Sequence, residues 1–66
     1  MIDEKKLERL IEKLRRYGDG CWAEAYKVRN SSDPEEREIY LRNLGEVTGY
    51  DYAIVLIQRV MRGEEP

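Results

Sequence analysis

Few side chains in this sequence could take part in chemistry, and histidine is absent from all 66 residues. Without an imidazole, the chain lacks Ser-His-Asp and Cys-His nucleophile systems and nearly all ordinary zinc sites. The one cysteine, Cys21, falls in the first turn of a predicted helix, where the helix dipole can lower the pKa of a thiol. The sequence shows no partner base, and small cysteines are commonly buried, so we interpret Cys21 as a packing residue. We expect no catalytic residues and no enzyme activity.

The acidic residues around the third predicted helix are the other chemical candidate. Carboxylates could bind a divalent cation there, from Asp33, Glu35, Glu36 and Glu38. Their spacing is not that of a calcium-binding loop, and the helix dipole already favours acids in a first turn. We therefore expect no metal and no cofactor.

Aromatic residues supply the candidate binding site. The chain has one Trp, five Tyr and no Phe. Trp and Tyr are favoured anchors of protein interfaces, and we predict a contact surface made of Trp22, Tyr26, Tyr40, Tyr50 and Tyr52. The alternative is that a chain without Phe uses these rings to fill the rim of its core. The first prediction is a non-catalytic protein-interaction module, and the sequence leaves the choice between core and interface open.

Length and charge indicate the class of protein. The chain is long enough for one small helical domain, residues 1–66, in which we expect residues 63–66 to form a frayed tail. Its net charge of −2 argues against a nucleic-acid or membrane partner, for which a basic excess is expected. The charged N-terminus is unlike a signal peptide, and the longest apolar run, six residues, is far too short for a membrane span. With its lone cysteine, the chain is predicted to be soluble and cytoplasmic.

The first half of the chain predicts two helices separated by a glycine break. Apolar residues recur at three- and four-residue steps from about Glu4 to Tyr17, with Asp3 as the N-cap. Gly18-Asp19-Gly20 then interrupts the pattern. A shorter helix is predicted from about Cys21 to Arg29, where alternation of apolar and polar residues also permits a strand.

The second half predicts two further helices. Asp33-Pro34-Glu35-Glu36 provides a cap, a proline at the first helical position and a Glu three residues after the cap. Gly45 suggests a close contact with another helix, and Gly49 is expected to end the element. A fourth helix, Tyr52–Met61, is apolar on nearly every side and is stopped by Gly63.

The predicted fold is all-α: a compact bundle of three to four short helices with the hydrophobic C-terminal helix at its centre. A helix that is apolar all round must be covered all round. The residues expected to be buried are Leu10, Ile11, Leu14, Trp22, Leu44, Ile54, Ile57 and Val60. Three short neighbours leave part of the fourth helix uncovered, so we expect a homodimer or a protein partner along that apolar stripe.

The regularity of the helix signals suggests a further hypothesis about origin. Residues 4–16 have the idealised composition of designed helices, and caps and glycine stops are placed consistently. A free cysteine and a mid-helix glycine fit deliberate design less well, unless the chain was later selected for binding. A de novo or laboratory-selected protein is therefore one interpretation.

Two partial resemblances suggest alternative functions. Leu44-Gly45-Glu46-Val47-Thr48-Gly49, followed by a new helix, resembles the turn of helix-turn-helix proteins, which implies DNA binding through the last helix. The corresponding recognition residues are Ala53–Ile57, which are apolar, whereas reading base edges requires an exposed polar face. DNA binding is therefore the alternative to a protein-interaction module.

The other resemblance is to an enzyme family. Asp33–Glu38, together with Gln58-Arg59, is similar to the second half of the all-helical chorismate mutases. This resemblance implies that Glu36 or Glu38 and Gln58 would contact the substrate. The long first helix of that family, with its paired cationic residues, is not matched because of the glycine break. A reduced chorismate-mutase-like enzyme is the further alternative.

Overall fold

The protein is a hairpin of two long antiparallel helices. The computed structural model describes residues 3–66. Within that range, α1 spans Glu4–Val28 and α2 spans Pro34–Met61, and residues 29–33 connect them. The all-α class is confirmed, and the segment that also permitted a strand is helical. The predicted bundle of three to four helices is wrong, because two helices account for all the regular structure of residues 3–66.

The glycines predicted to break the chain lie inside the helices. Gly18 and Gly20 are interior to α1 and Gly49 is interior to α2, and none of the three has a positive φ. Gly45 lies inside a helix as predicted, but it is exposed and a Cβ there would meet no neighbour within 4 Å, so the predicted close helix contact is wrong. Glycine in a helix costs roughly 1 kcal/mol relative to alanine. Most helical stability in proteins comes from packing of an apolar face, which outweighs a cost of that size. These glycines weaken the helices locally without ending them.

A heptad pattern keeps the two helices in contact along their length. The residues facing the partner helix recur at alternating steps of four and three, and all are buried or half-buried. On α1 they are Leu7, Ile11, Leu14, Gly18, Cys21, Ala25 and Val28, and on α2 they are Tyr40, Asn43, Val47, Tyr50, Ile54, Ile57 and Met61. A mean repeat of 3.5 residues keeps one stripe at the contact as two helices wind around each other. The register does not shift at any glycine, which explains why each helix continues.

Both helices begin where the sequence predicts. Asp3 caps α1 by accepting hydrogen bonds from two backbone N–H groups of the first turn, at 3.0 and 3.3 Å. Asp33 caps α2 by accepting from the backbone N–H of Glu35 at 2.9 Å, with Pro34 at the first helical position. Local cap chemistry therefore fixes both starting points.

The connection is joined to α2 through Ser31. Its hydroxyl donates to the Glu36 carboxylate at 2.9 Å and accepts from the backbone N–H of Asp33 at 3.1 Å. In a direct capping box, Glu36 would itself accept from the N–H of the cap residue. Here the serine hydroxyl relays that interaction and fixes the end of the connection against the first turn of α2.

The predicted stop at Gly63 is confirmed. Gly63 has a φ of +80°, and its N–H donates to the Val60 carbonyl at 2.9 Å. The N–H of Glu64 donates to the Arg59 carbonyl at 2.9 Å, which completes a Schellman motif. Arg62 Nε also donates to the Glu64 carboxylate at 2.6 Å. The beginning of the expected tail is thus hydrogen-bonded to the helix end.

The core is a single stripe between the helices. The buried apolar residues are Ile11, Ala25, Val47 and Ile54, and no large side chain in the described part of the chain is fully buried. Of the eight residues predicted to be buried, two are (Ile11 and Ile54), four are half-buried (Leu14, Leu44, Ile57 and Val60), and Leu10 and Trp22 are exposed. Two helices make only one internal contact, so side chains on its flanks have no third helix to cover them.

The molecule is one layer thick. Its Cα atoms extend over 49 × 19 × 12 Å. The hydrophobic C-terminal segment is the last part of α2 rather than the centre of a bundle, so Ile54 faces α1 while Val55 is exposed. Neither helix in residues 3–66 is both long and apolar enough to cross a membrane.

Replacing Gly18 or Gly49 by alanine should stabilise the hairpin by about 0.5–1 kcal/mol each. A Cβ at either position meets no packing neighbour within 4 Å, and neither residue has a positive φ. Gly63→Ala is the matched control and should destabilise the protein by about 1 kcal/mol, because its φ is positive. Urea denaturation followed by circular dichroism measures all three. Destabilisation by Gly18→Ala would contradict a continuous α1.

Two neighbouring residues test the position of the core. Ile54→Ala should lower the free energy of unfolding by about 2–5 kcal/mol, because Ile54 is only 7% exposed and its removal leaves a cavity. Val55→Ala should cost less than about 1 kcal/mol, because Val55 is 42% exposed. Similar losses in both variants, measured by the same denaturation, would show that α2 is rotated differently against α1.

Candidate functional site

An aromatic pair projects from α1 near the connection. The ring centroids of Trp22 and Tyr26 are 6.3 Å apart, with an interplanar angle of 64°. In an antiparallel pair of helices, residues at the same heptad position beside the contact stripe lie next to each other. Leu41 and Leu44 of α2 therefore lie on the same side of the hairpin as the aromatic pair. Trp22, Tyr26 and Leu41 are 44%, 60% and 58% exposed, and Leu44 is half-buried. We call these four residues the aromatic patch.

Two arginines border the aromatic patch on the side of the connection. The guanidinium of Arg29 lies 4.2 Å from the Tyr26 ring centroid, and that of Arg37 lies 5.3 Å from the Tyr40 ring centroid. A cation over an aromatic ring at an exposed site contributes about 0.5–1 kcal/mol. These contacts restrain the rings and give the patch a positively charged edge.

The opposite broad side of the hairpin carries a second apolar surface, which we call the open face. It is formed by Leu10, Tyr17, Ala53, Leu56 and Val60 beside the contact stripe, together with the solvent-exposed part of Leu14 from the stripe itself. Leu10 and Tyr17 are exposed and the other four are half-buried. The ring centroids of Tyr17 and Tyr50 are 5.9 Å apart, so Tyr50 borders this surface. Lys13 Nζ lies 5.9 Å from the Tyr17 ring centroid, at its outer edge.

The structure divides the five aromatic residues of the predicted contact surface. Trp22 and Tyr26 belong to the aromatic patch, and Tyr40 is half-buried beside it. Tyr50 is half-buried next to the open face, and Tyr52 is exposed on the outer side of α2. These rings therefore do not form one surface.

Sequence reasoning missed several residues of both surfaces. Leu10 was assigned to the core, and neither Leu41 nor Tyr17 was included in the predicted contact surface. The heptad pattern, which continues without interruption through each helix, could have placed these residues correctly. It puts them on the flanks of the contact stripe rather than within it. Reading the glycines as helix ends concealed that register.

An open groove of about 440 Å³ lies at the end of the hairpin away from the connection. Its lining combines two apolar residues with four polar or charged ones: Ile11, Met61, Glu8, Arg15, Gln58 and Arg62. Gln58, a substrate contact implied by the chorismate mutase resemblance, therefore lies in this groove. Glu36 and Glu38 are near the other end of α2, about 30 Å away along the helix axis. A single chain does not bring these residues into one site.

The turn implied by the helix-turn-helix resemblance is not formed. Leu44–Gly49 lies within α2, which continues without interruption to Met61. Ala53–Ile57 is accordingly part of the same helix and does not begin a separate recognition helix.

The acidic residues near the start of α2 have structural partners. Asp33 caps the helix, and Glu36 accepts the hydrogen bond from Ser31. Glu35 and Glu36 lie in the first turn, where the helix dipole favours negative charge. Across residues 3–66, no three Cys, Asp or Glu side chains are grouped so as to hold a metal ion.

Cys21 lies well inside α1 and not in a first helical turn. Its thiol donates a hydrogen bond to Glu46 Oε2 on α2, at a sulfur–oxygen distance of 3.1 Å. This hydrogen bond raises the pKa of Cys21 above its ordinary value, and partial burial and the negative charge of Glu46 add to the effect. The pKa of Cys21 is therefore shifted upward, whereas the sequence had suggested that a helix dipole could lower it. The thiol bridges the two helices in its protonated form.

Comparisons with known proteins give no match. No protein-family model matches the chain. The curated proteins and the solved structures likewise yield no similar chain.

Replacing Glu46 by glutamine should make Cys21 more reactive at neutral pH. The change removes the negative charge that disfavours the thiolate, so the pKa of Cys21 should fall and its thiolate fraction should rise. The rate of alkylation by iodoacetamide, measured from pH 6 to 10, should show its half-point at lower pH in Glu46→Gln. Glu24→Gln is the control, because Glu24 pairs with Lys27 on α1 and should leave the profile unchanged. Identical profiles for the wild type and Glu46→Gln would contradict the thiol–carboxylate contact.

Proposed function

We propose that this chain is a non-catalytic protein-interaction module that binds a partner through the aromatic patch. One observation carries the proposal: Trp22 and Tyr26 are exposed and pack against each other on a regular helix, on the same side of the hairpin as an exposed Leu41. A contiguous cluster of exposed large apolar side chains is characteristic of an interaction site. Trp and Tyr are also the residues most enriched among those that dominate binding energy.

The position of the patch favours a helical partner. Trp22 and Tyr26 come from α1 and the two leucines come from α2, so the patch lies along the groove between the helices. An amphipathic helix can lay its apolar face into such a groove, with anchors spaced three or four residues apart. Arg29 and Arg37 at the edge of the patch favour acidic residues beside those anchors, because opposite charges steer association and fix the register.

We also propose that the protein works in a reducing compartment such as the cytoplasm. Cys21 is a free thiol, half-buried and hydrogen-bonded to Glu46. Reducing conditions keep such a thiol in the form that makes this contact.

A displayed library of amphipathic helices tests the proposed function. The immobilised protein should enrich helices with an apolar stripe flanked by Asp and Glu. Trp22→Ala and Leu41→Ala should weaken binding of the enriched helices by about 30-fold or more each, the loss typical of dominant interface residues. Both variants should remain helical by circular dichroism, since both side chains are exposed.

Tyr52→Ala is the matched control for this experiment. Tyr52 is an exposed aromatic residue of α2 outside the aromatic patch, so its removal should leave the affinity unchanged. Equal binding of the enriched helices to the wild type and to folded Trp22→Ala would contradict the proposed function.

A further inference from the structure

We propose that the open face binds a second copy of this chain, so that two hairpins form a two-fold symmetric bundle of four helices. The open face and the aromatic patch lie on opposite sides of the hairpin. The proposal therefore goes beyond the partner proposed for the aromatic patch, and either can fail without the other.

The exposed area of one hairpin is the first argument. The chain exposes 5338 Å² to solvent. A compact folded monomer of 7.9 kDa exposes about 4,400 Å² by the relation between area and mass. The surplus of about 900 Å² compares with the roughly 800 Å² that each partner buries in a standard protein interface. One hairpin thus has as much surplus surface as one stable interface covers.

The shape of the hairpin gives the second argument. Its Cα radius of gyration is 15.0 Å, whereas a compact domain of this length has about 11 Å and one of twice the length about 14 Å. The thickness of 12 Å corresponds to a single layer of helices. Stable domains pack two layers around one core. A second copy stacked on one broad side supplies the missing layer without lengthening the assembly.

The composition of the two broad sides decides which one is covered. A two-fold interface uses the same surface of both copies, so every charge on that surface is present twice at the interface. An interface through the aromatic patch would collect Arg29 and Arg37 of both copies, which are four charges of the same sign, around one apolar contact. The residues that define the open face carry no charge, as is also true of the aromatic patch, but the charges that border the open face have both signs: Lys13 on α1, and Glu46 one heptad before Ala53 on α2. Lys13 lies at its edge, where the flexible stem can keep the ammonium group in water.

Two equally exposed apolar residues on opposite sides provide the test. Leu10 on the open face and Val55 on the other side are both 42% exposed. Light scattering coupled to size exclusion should give the wild type twice the 7.9 kDa chain mass from low to high micromolar concentration. Leu10→Glu should weaken dimerisation by about 100-fold or more, because the interface would have to bury two carboxylates. Val55→Glu and Trp22→Ala should keep the dimer mass.

A wild-type mass of one chain at several hundred micromolar, with full helicity, would overturn the proposal. Loss of the dimer in Val55→Glu but not in Leu10→Glu would overturn it as well, by assigning the interface to the other side. If Leu10→Glu does not fold, the wild type alone decides. Its melting temperature should rise with protein concentration, as in coupled folding and dimerisation, and a concentration-independent melting temperature would contradict the second copy.

Discussion

The contact stripe between α1 and α2 is the constraint on which the rest of the structure depends. The buried apolar residues of the described range, Ile11, Ala25, Val47 and Ile54, all belong to it and lie in the middle part of the hairpin. No second core exists within residues 3–66 to compensate for a weak point, so each layer of side chains depends on the register of its neighbours. The same stripe determines which side chains are exposed, because its two flanks become the broad sides of the molecule. Because Ile11 faces α2 and Ile54 faces α1, Trp22 must lie on one broad side of the hairpin and Leu10 on the other.

Local chemistry could be predicted from the sequence, whereas tertiary register could not. Asp3, Asp33 and Gly63 were identified correctly because a cap or a left-handed stop depends on a few adjacent backbone groups. Gly18 and Gly49 were misread because the choice between a weakened helix and a helix end depends on what packs against it. This misreading led to a second error. A bundle of four short helices needs a central helix, and the apolar segment around Ile54 was therefore placed at the centre.

The candidate site shows the same division. Residue type alone made Trp22 and Tyr26 candidate interface anchors, and both are exposed, although Trp22 was also expected to be buried. Residue type could not separate them from Tyr50 or Tyr52, because grouping requires knowledge of which flank each residue occupies. Leu41 illustrates the opposite difficulty. An apolar residue at helical spacing is expected to be buried in the core, and only the number of helices shows that it is exposed. A count of helices was therefore the missing information for both the fold and the site.

The short connection between the helices has a consequence for how the hairpin assembles and opens. Cys21 and Glu46, which are 25 residues apart in the sequence, are joined by a hydrogen bond across the hairpin, whereas Glu8 and Met61, which line the same groove, are separated by most of the chain. The entropy lost on closing a loop grows with its length. The two helices should therefore first come into contact beside the connection, and the contact should then extend toward the termini. Separation of the helices should begin at the termini and proceed toward the connection. Amide hydrogen exchange would then be slowest near Ala25 and Val47 and fastest toward the last turn of α2. The aromatic patch lies in the slowly exchanging part, so its geometry would persist while the other end of the molecule frays and reseals.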